Sequence, residues 1–284
     1  MNKAANTLIY NNENSFDLVQ TYCIMDDLFN VFNQHNNSKV GRKSILSISE
    51  IATITLIGLY YECGCLKSLY RLICDKFRND FKLPRYQNFV NLMNKYSKYL
   101  LKFIFILCSL NNKQQGIITF CDSTKLEVCK IYREKRHKTM KQLATKSKST
   151  TGWFYGLRLH ILCDQDGNLM QIKFTTAVTG EREVLDEFLG KIQDCIIVAD
   201  AGFVSKELER KANENNNLLI TAVRRNMKTL HTIWQNSCLN MRSRIESVFG
   251  DLKERLGLVT SLPRSVNGYL AHYIRSIFGY MVLS

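Results

Sequence analysis

Three acidic residues occupy positions where metal-assisted chemistry is feasible. Asp122 closes the apolar run 117–121, and Asp200 closes the apolar run 196–199 just before Gly202. Both runs read as buried strands. In open α/β sheets, functional groups gather at the carboxyl ends of strands. Two carboxylates presented there suit Mg²⁺, which takes one or two protein carboxylates and completes its octahedron with water and phosphate oxygens. Taken singly, each is equally an ordinary strand-end cap. The third acid is Glu246, in a stretch that reads as one helix over 242–256. At a 3.6-residue period, Ile245, Phe249, Leu252 and Leu256 form its apolar stripe. Arg242, Glu246 and Lys253 then form a charged ridge beside that stripe, with two cations placed to hold phosphates. The plain alternative is a rim of charge pairs contributing roughly a few tenths of a kcal/mol each.

The elements that position these residues fall into two textures. Residues 1–112 read as helical. Apolar residues recur at three-to-four spacing over 16–32, and a polar break follows. Ser47 and Glu50 form a capping-box pattern that opens the next helix. Further helices fit 66–77 and 86–110, with Pro84 between them. The Gly64 turn between short helices is compatible with a helix-turn-helix, and equally with a plain bundle bearing a basic face.

From residue 113 the texture changes to strands at 117–121, 126–132, 154–163 and 169–177. An Asp-Gly turn joins the last two. A helix fits 181–189, a buried strand 195–199, a helix 204–213 and a strand 218–223. The helix over 242–256 follows. This order implies an α/β domain with a mixed sheet, residues 113–284, behind a helical domain, residues 1–112. A basic insertion spans 133–152. Its first sixteen residues hold seven Lys/Arg and one Glu.

Charge narrows the partner. The 284 residues carry 39 Lys+Arg against 25 Asp+Glu, a formal net charge of +14. Such a surplus points to nucleic acid or an acidic membrane surface. The longest apolar runs fall short of the ~18 residues a spanning helix needs, so no membrane role is expected. The ten cysteines form no C-x-x-C pair. They read as small hydrophobes in a reducing compartment rather than as a zinc site. Nucleic acid remains as the expected partner. Arg133, Lys135, Arg136, Lys138, Lys141, Arg224 and Arg225 are candidate phosphate contacts, and Trp153 is a candidate base-stacking residue. His160, on an alternating strand, reads as structural.

Together these residues resemble a known family, the DDE transposases of bacterial insertion sequences, in the RNase H-like superfamily. Three blocks carry the resemblance. They are Asp122 in ITFCDSTKLEV, Asp200 in VADAGF, and Arg242-x3-Glu246-x6-Lys253. A basic-x-His pattern at Arg158 and His160 lies between the first two. The chain departs from the family pattern at Leu239, where a Tyr is common, and at Ala201, where a Lys is common.

The resemblance implies an RNase H-like catalytic domain that cuts element-end DNA and transfers the strand into target DNA. It implies two Mg²⁺ or Mn²⁺ ions held by Asp122, Asp200 and Glu246, with Arg242 and Lys253 on phosphates. The implied partners are double-stranded DNA, as terminal inverted repeats and target, and a second copy of the chain on that DNA. The implied location is the bacterial cytoplasm, at the nucleoid. Competing expectations are an inactive remnant that only binds DNA, and an RNase H-like nuclease or resolvase.

Overall fold

The computed structural model describes residues 16–33, 44–113, 117–223 and 230–283. The chain divides into two compact units. One comprises residues 1–104, 254–258 and 262–284; the other comprises 105–253 and 259–261. The C-terminal segment therefore returns to the helical unit, unlike the contiguous division at 112/113 that the sequence texture suggests.

The helical unit contains α1 (Leu18–Asn33), α2 (Ile48–Tyr60), α3 (Leu66–Lys76), most of α4 (Tyr86–Asn111) and α9 (Val266–Leu283). Ser47 caps α2 as its sequence pattern predicts. Its Oγ accepts from the Glu50 N–H at 3.1 Å, and the Ser47 N–H donates back to Glu50 Oε2 at 2.6 Å. A core of Leu46, Ile51, Ile54, Ile57, Leu69, Ile73, Phe81, Phe89 and Met93 holds α2–α4 together. The turn from α2 to α3 closes with Cys63 N–H donating to Gly58 O and Glu62 N–H to Leu59 O, a Schellman motif. Its left-handed residue is Glu62, with φ of 50°, not the neighbouring Gly64.

The second unit is built on a mixed sheet. Its strands are β1 (Ile118–Cys129), β2 (Thr145–Ser149), β3 (Gly152–Asp164), β4 (Leu169–Thr176), β5 (Ile196–Ala199) and β6 (Leu218–Thr221). The order across the sheet is β2-β3-β1-β5-β6, with β4 also on β3. β1 pairs antiparallel with β3 and parallel with β5, which pairs parallel with β6. β2 takes residues 152–156 of β3, and β4 takes 157–163, so the two lie end to end along one edge.

The expected break after Asp122 does not occur: β1 is one strand of 12 residues, not two. The reason is its antiparallel partner. β3 pairs with β1 from Thr119↔Asp164 to Cys129↔Tyr155 and so carries the strand past Asp122. Gly156 permits the close approach in that ladder, since a Cβ there would lie 1.9 Å from the Leu126 carbonyl oxygen.

Two layers of helix flank this sheet. Helices α5 (Glu181–Leu189) and α6 (Lys206–Glu214) bury Val184, Leu185, Phe188, Leu208 and Ala212 against Cys121, Leu162, Ile197 and Ala199. Side chains alternate across a strand, so the even-numbered Phe120, Asp122 and Val198 face the other side. There α7 (Ile233–Asn240) adjoins β5 and β6, and α8 (Ser243–Gly250) adjoins β1. The single helix expected over 242–256 is in fact α8 followed by a π-helical turn, Asp251–Arg255. No helix among the described residues is long and apolar enough to cross a membrane.

Candidate active site

The parallel ladder between β1 and β5 runs from Ile118↔Ile196 to Cys121↔Ala199. Asp122 and Asp200 are the next residue on each strand. Neighbouring strands lie about 4.8 Å apart, so the ladder delivers the two aspartates side by side. Asp200 also caps the 3₁₀ turn Ala201–Phe203, its Oδ1 accepting from the Ala201 N–H at 2.6 Å. Asp122 Oδ1 accepts from the Ser123 N–H at 2.7 Å.

One cation faces both acids. Arg242, the N-cap residue of α8, places Nη1 3.2 Å from Asp200 Oδ1 and Nη2 3.9 Å from Asp122 Oδ2. Burial is the main cause that pushes the Asp122 carboxyl up to about 6. The Ser123 N–H and Arg242 oppose that shift, and Glu181 and Asp200 add to it. A carboxylate at this site is under-neutralised, which favours a further cation.

Arg242 thus brings Asp122 and Asp200 together about one guanidinium. Glu246 is exposed on α8, one turn after Arg242. Among the described residues no three His, Cys, Asp or Glu side chains gather as a metal-binding group. The two cations of the ridge drawn from helical periodicity have different partners. Arg242 turns in toward the sheet, and Lys253 lies in the π-helical turn with Nζ 6.0 Å from the Phe249 ring centroid. For a divalent metal, two carboxylates converging on one cation are a fitting donor pair, because Mg²⁺ needs only one or two.

Part of the basic insertion is regular structure. Residues Ile131–Arg136 form a 3₁₀ helix, and β2 pairs with the start of β3 as a ribbon. Met140, Ala144 and Phe154 are buried there, while Arg133, Lys135, Arg136, Lys138 and Lys141 are exposed to varying degrees. Trp153 is 58% exposed, and Lys146 Nζ sits 5.4 Å from its ring centroid. Arg224 and Arg225 lie outside the described residues. His160 is buried, 2.9 Å from Thr175 Oγ1, and burial first of all lowers it to about 4. It is a neutral structural histidine, as its strand position suggests.

Sequence reasoning missed one group beside the acids. Glu181 Oε1 accepts from Ser123 Oγ at 2.6 Å and from Arg158 Nη1 at 2.7 Å. The only trace of it in the sequence is an acid at the start of a helix and the basic-x-His pattern at Arg158.

The chain has likenesses among known proteins. Among solved structures, the Mos1 transposase paired-end complex with left transposon end is similar at 11% identity, over 82% of this chain and 85% of that one, with a TM-score of 0.25. No curated protein sequence matches. The transposase DDE domain family matches residues 111–266, more than half of the 284, and covers the whole mixed sheet and α8. The chain, whose mixed sheet follows a helical N-terminal segment in sequence, belongs to the DDE transposase family.

Proposed function

We propose that this protein is an insertion-sequence transposase that cuts the ends of its element and joins them to target DNA. The observation that carries this reading is the placement of Asp122 and Asp200 on adjacent parallel strands, directly after their last shared rung and facing one cation. Asp122, Asp200 and Glu246 are the proposed holders of two Mg²⁺ or Mn²⁺ ions. Bound divalent metal supplies Lewis-acid activation and neutralises charge on the phosphate oxygens.

The chain's own groups do the rest. The rigid end of the parallel ladder fixes the two aspartates and needs no reorganisation during reaction. Arg242 and Lys253 hold phosphate oxygens by charge-assisted hydrogen bonds. The insertion residues Arg133, Lys135, Arg136, Lys138 and Lys141 track the backbone, with Arg224 and Arg225 as further contacts. Trp153 stacks on a base. In the first reaction, water adds to phosphorus and the element's 3′-oxygen leaves with a proton. In the second, that 3′-OH adds to a target phosphodiester and displaces a target 3′-OH, so one P–O bond forms as another breaks. The helical N-terminal segment selects the terminal repeats. Two copies of the chain hold two ends.

The test uses purified protein and DNA bearing the repeats that bound the gene. Nicked and then joined products are expected with Mg²⁺, and neither without it. Asp122→Asn, Asp200→Asn and Glu246→Gln should each abolish both products. Nicking without joining identifies a nuclease instead. Binding without either product, in every metal tried, identifies an inactive remnant.

A further inference from the structure

The parallel ladder ends at Cys121 and Ala199, and Asp122 and Asp200 stand just beyond it. The ladder sets the two residues side by side but makes no bond to their carboxylates, which other groups must orient. We infer that the first turn of α5 does this, with Glu181 and Arg182 as positioning residues; the inference rests on the metal-binding reading of the two aspartates.

Two arms leave this turn from adjacent residues. The first runs from Glu181. Its Oε1 accepts from Ser123 Oγ at 2.6 Å, and the Ser123 N–H donates to Asp122 Oδ1 at 2.7 Å. Arg158 Nη1 locks this arm, lying 2.7 Å from Glu181 Oε1 and 3.0 Å from Ser123 Oγ. The second arm runs from Arg182. Its Nε donates to the Gly202 carbonyl at 2.9 Å, and the Ala201 N–H of the same turn donates to Asp200 Oδ1 at 2.6 Å. A Cβ on Gly202 would lie only 3.3 Å from Glu181 Oε2, so the two arms also close on each other.

The sides of the sheet make the roles distinct. Ser123 shares the α5 face with Arg158, while Asp122 points to the opposite face, toward α8. Glu181 therefore reaches Asp122 through the backbone of Ser123, and its Oε1 is already engaged by Ser123 and Arg158. That is a supporting role. The turn is anchored from below by Val184, Leu185 and Phe188, which are buried in the core under the sheet. Partners of this kind orient metal-holding carboxylates, and their loss typically weakens metal binding by about 10–100-fold.

The experiment is Mn²⁺ titration of the full chain, with free Mn²⁺ read by electron paramagnetic resonance and folding checked by thermal melting. Glu181→Gln, Ser123→Ala and Arg182→Gln should each raise the Kd about 10-fold or more. The double variant Glu181→Gln/Ser123→Ala should be no weaker than its worse parent, because both changes cut one arm. If Glu181→Gln unfolds the chain, Ser123→Ala, which keeps the Arg158–Glu181 pair, carries the test with Arg182→Gln. An unchanged Kd in these folded variants, or fully additive losses in the double, overturns the inference while wild type still binds Mn²⁺. A wild type that binds no Mn²⁺ overturns the metal-binding reading and this inference with it.

Discussion

Arg242 donates from Nη1 to Asp200 Oδ1 at 3.2 Å across 42 positions of sequence. The same guanidinium faces Asp122 at 3.9 Å. It thus serves two acids that the proposed function assigns to metal. Changing Arg242 to Gln should cost the metal-free protein about 1 kcal/mol, a modest value because Asp200 is half exposed and screened by water. Divalent metal should stabilise the variant more than wild type, since the competing cation is gone. Urea unfolding with and without Mn²⁺ measures both effects. An equal stabilisation of the two proteins would mean that Arg242 and metal do not compete.

Burial raises Asp122 to about 6, above the usual carboxylate range, and this sets a pH dependence. A raised acid favours the folded state when protonated, so its contribution is fully present below about pH 4 and lost as pH rises through about 6. Asp122→Asn does not ionise. Its metal-free stability relative to wild type should therefore climb between about pH 4 and 6 and level off at about 3 kcal/mol. Paired urea midpoints across that window test this. A flat difference would show that Asp122 titrates like an exposed acid.

Gly156 tests the ladder itself. A Cβ would meet the Leu126 carbonyl oxygen at 1.9 Å, and backbone cannot move aside as a side chain can. Gly156→Ala should cost about 3 kcal/mol or more and loosen β1 against β3. Thermal unfolding reads the loss, and hydrogen exchange at β1 locates it. A near-neutral result would refute the close approach of these strands.

The basic insertion predicts a salt effect. If Lys135, Arg136, Lys138 and Lys141 hold phosphates, changing all four to Gln should flatten the slope of log K against log salt by about 0.9 for each phosphate no longer neutralised on duplex DNA. Changing Trp153 to Ala should leave that slope alone and weaken binding to single-stranded ends by about 1–3 kcal/mol. Fluorescence anisotropy over a salt series separates the two. A quadruple variant with the wild-type slope would remove these residues from the DNA interface.

What the sequence disclosed was mostly local. The Ser47–Glu50 cap, the 181–189 helix and the Asp164–Asn168 turn are specified by residues within a few positions of one another, and all are found. The two aspartates were legible because each ends an apolar run; that the runs are parallel neighbours was not. Longer-range effects were hidden. β1 continues past Asp122 because of β3, whose Ile161 pairs with that residue from far along the chain. Helices α7 and α9 lacked a stripe clear enough to be drawn. The inward turn of Arg242 depends on Asp200, and the Ser123–Glu181 bond spans 58 positions. No periodicity reports such long-range pairings.

The strand β3 joins the ribbon to the acids without a break. Trp153 lies near its start, and Ile161 sits opposite Asp122. Eight residues of extended chain span about 27 Å, which is the rise of about eight base-pair steps. On the proposed function, a duplex lying along β3 would be gripped and cut at two points whose distance is fixed by one uninterrupted strand. In that arrangement β3 acts as a gauge, and the place of the cut relative to the grip is measured by the protein rather than read from the bases.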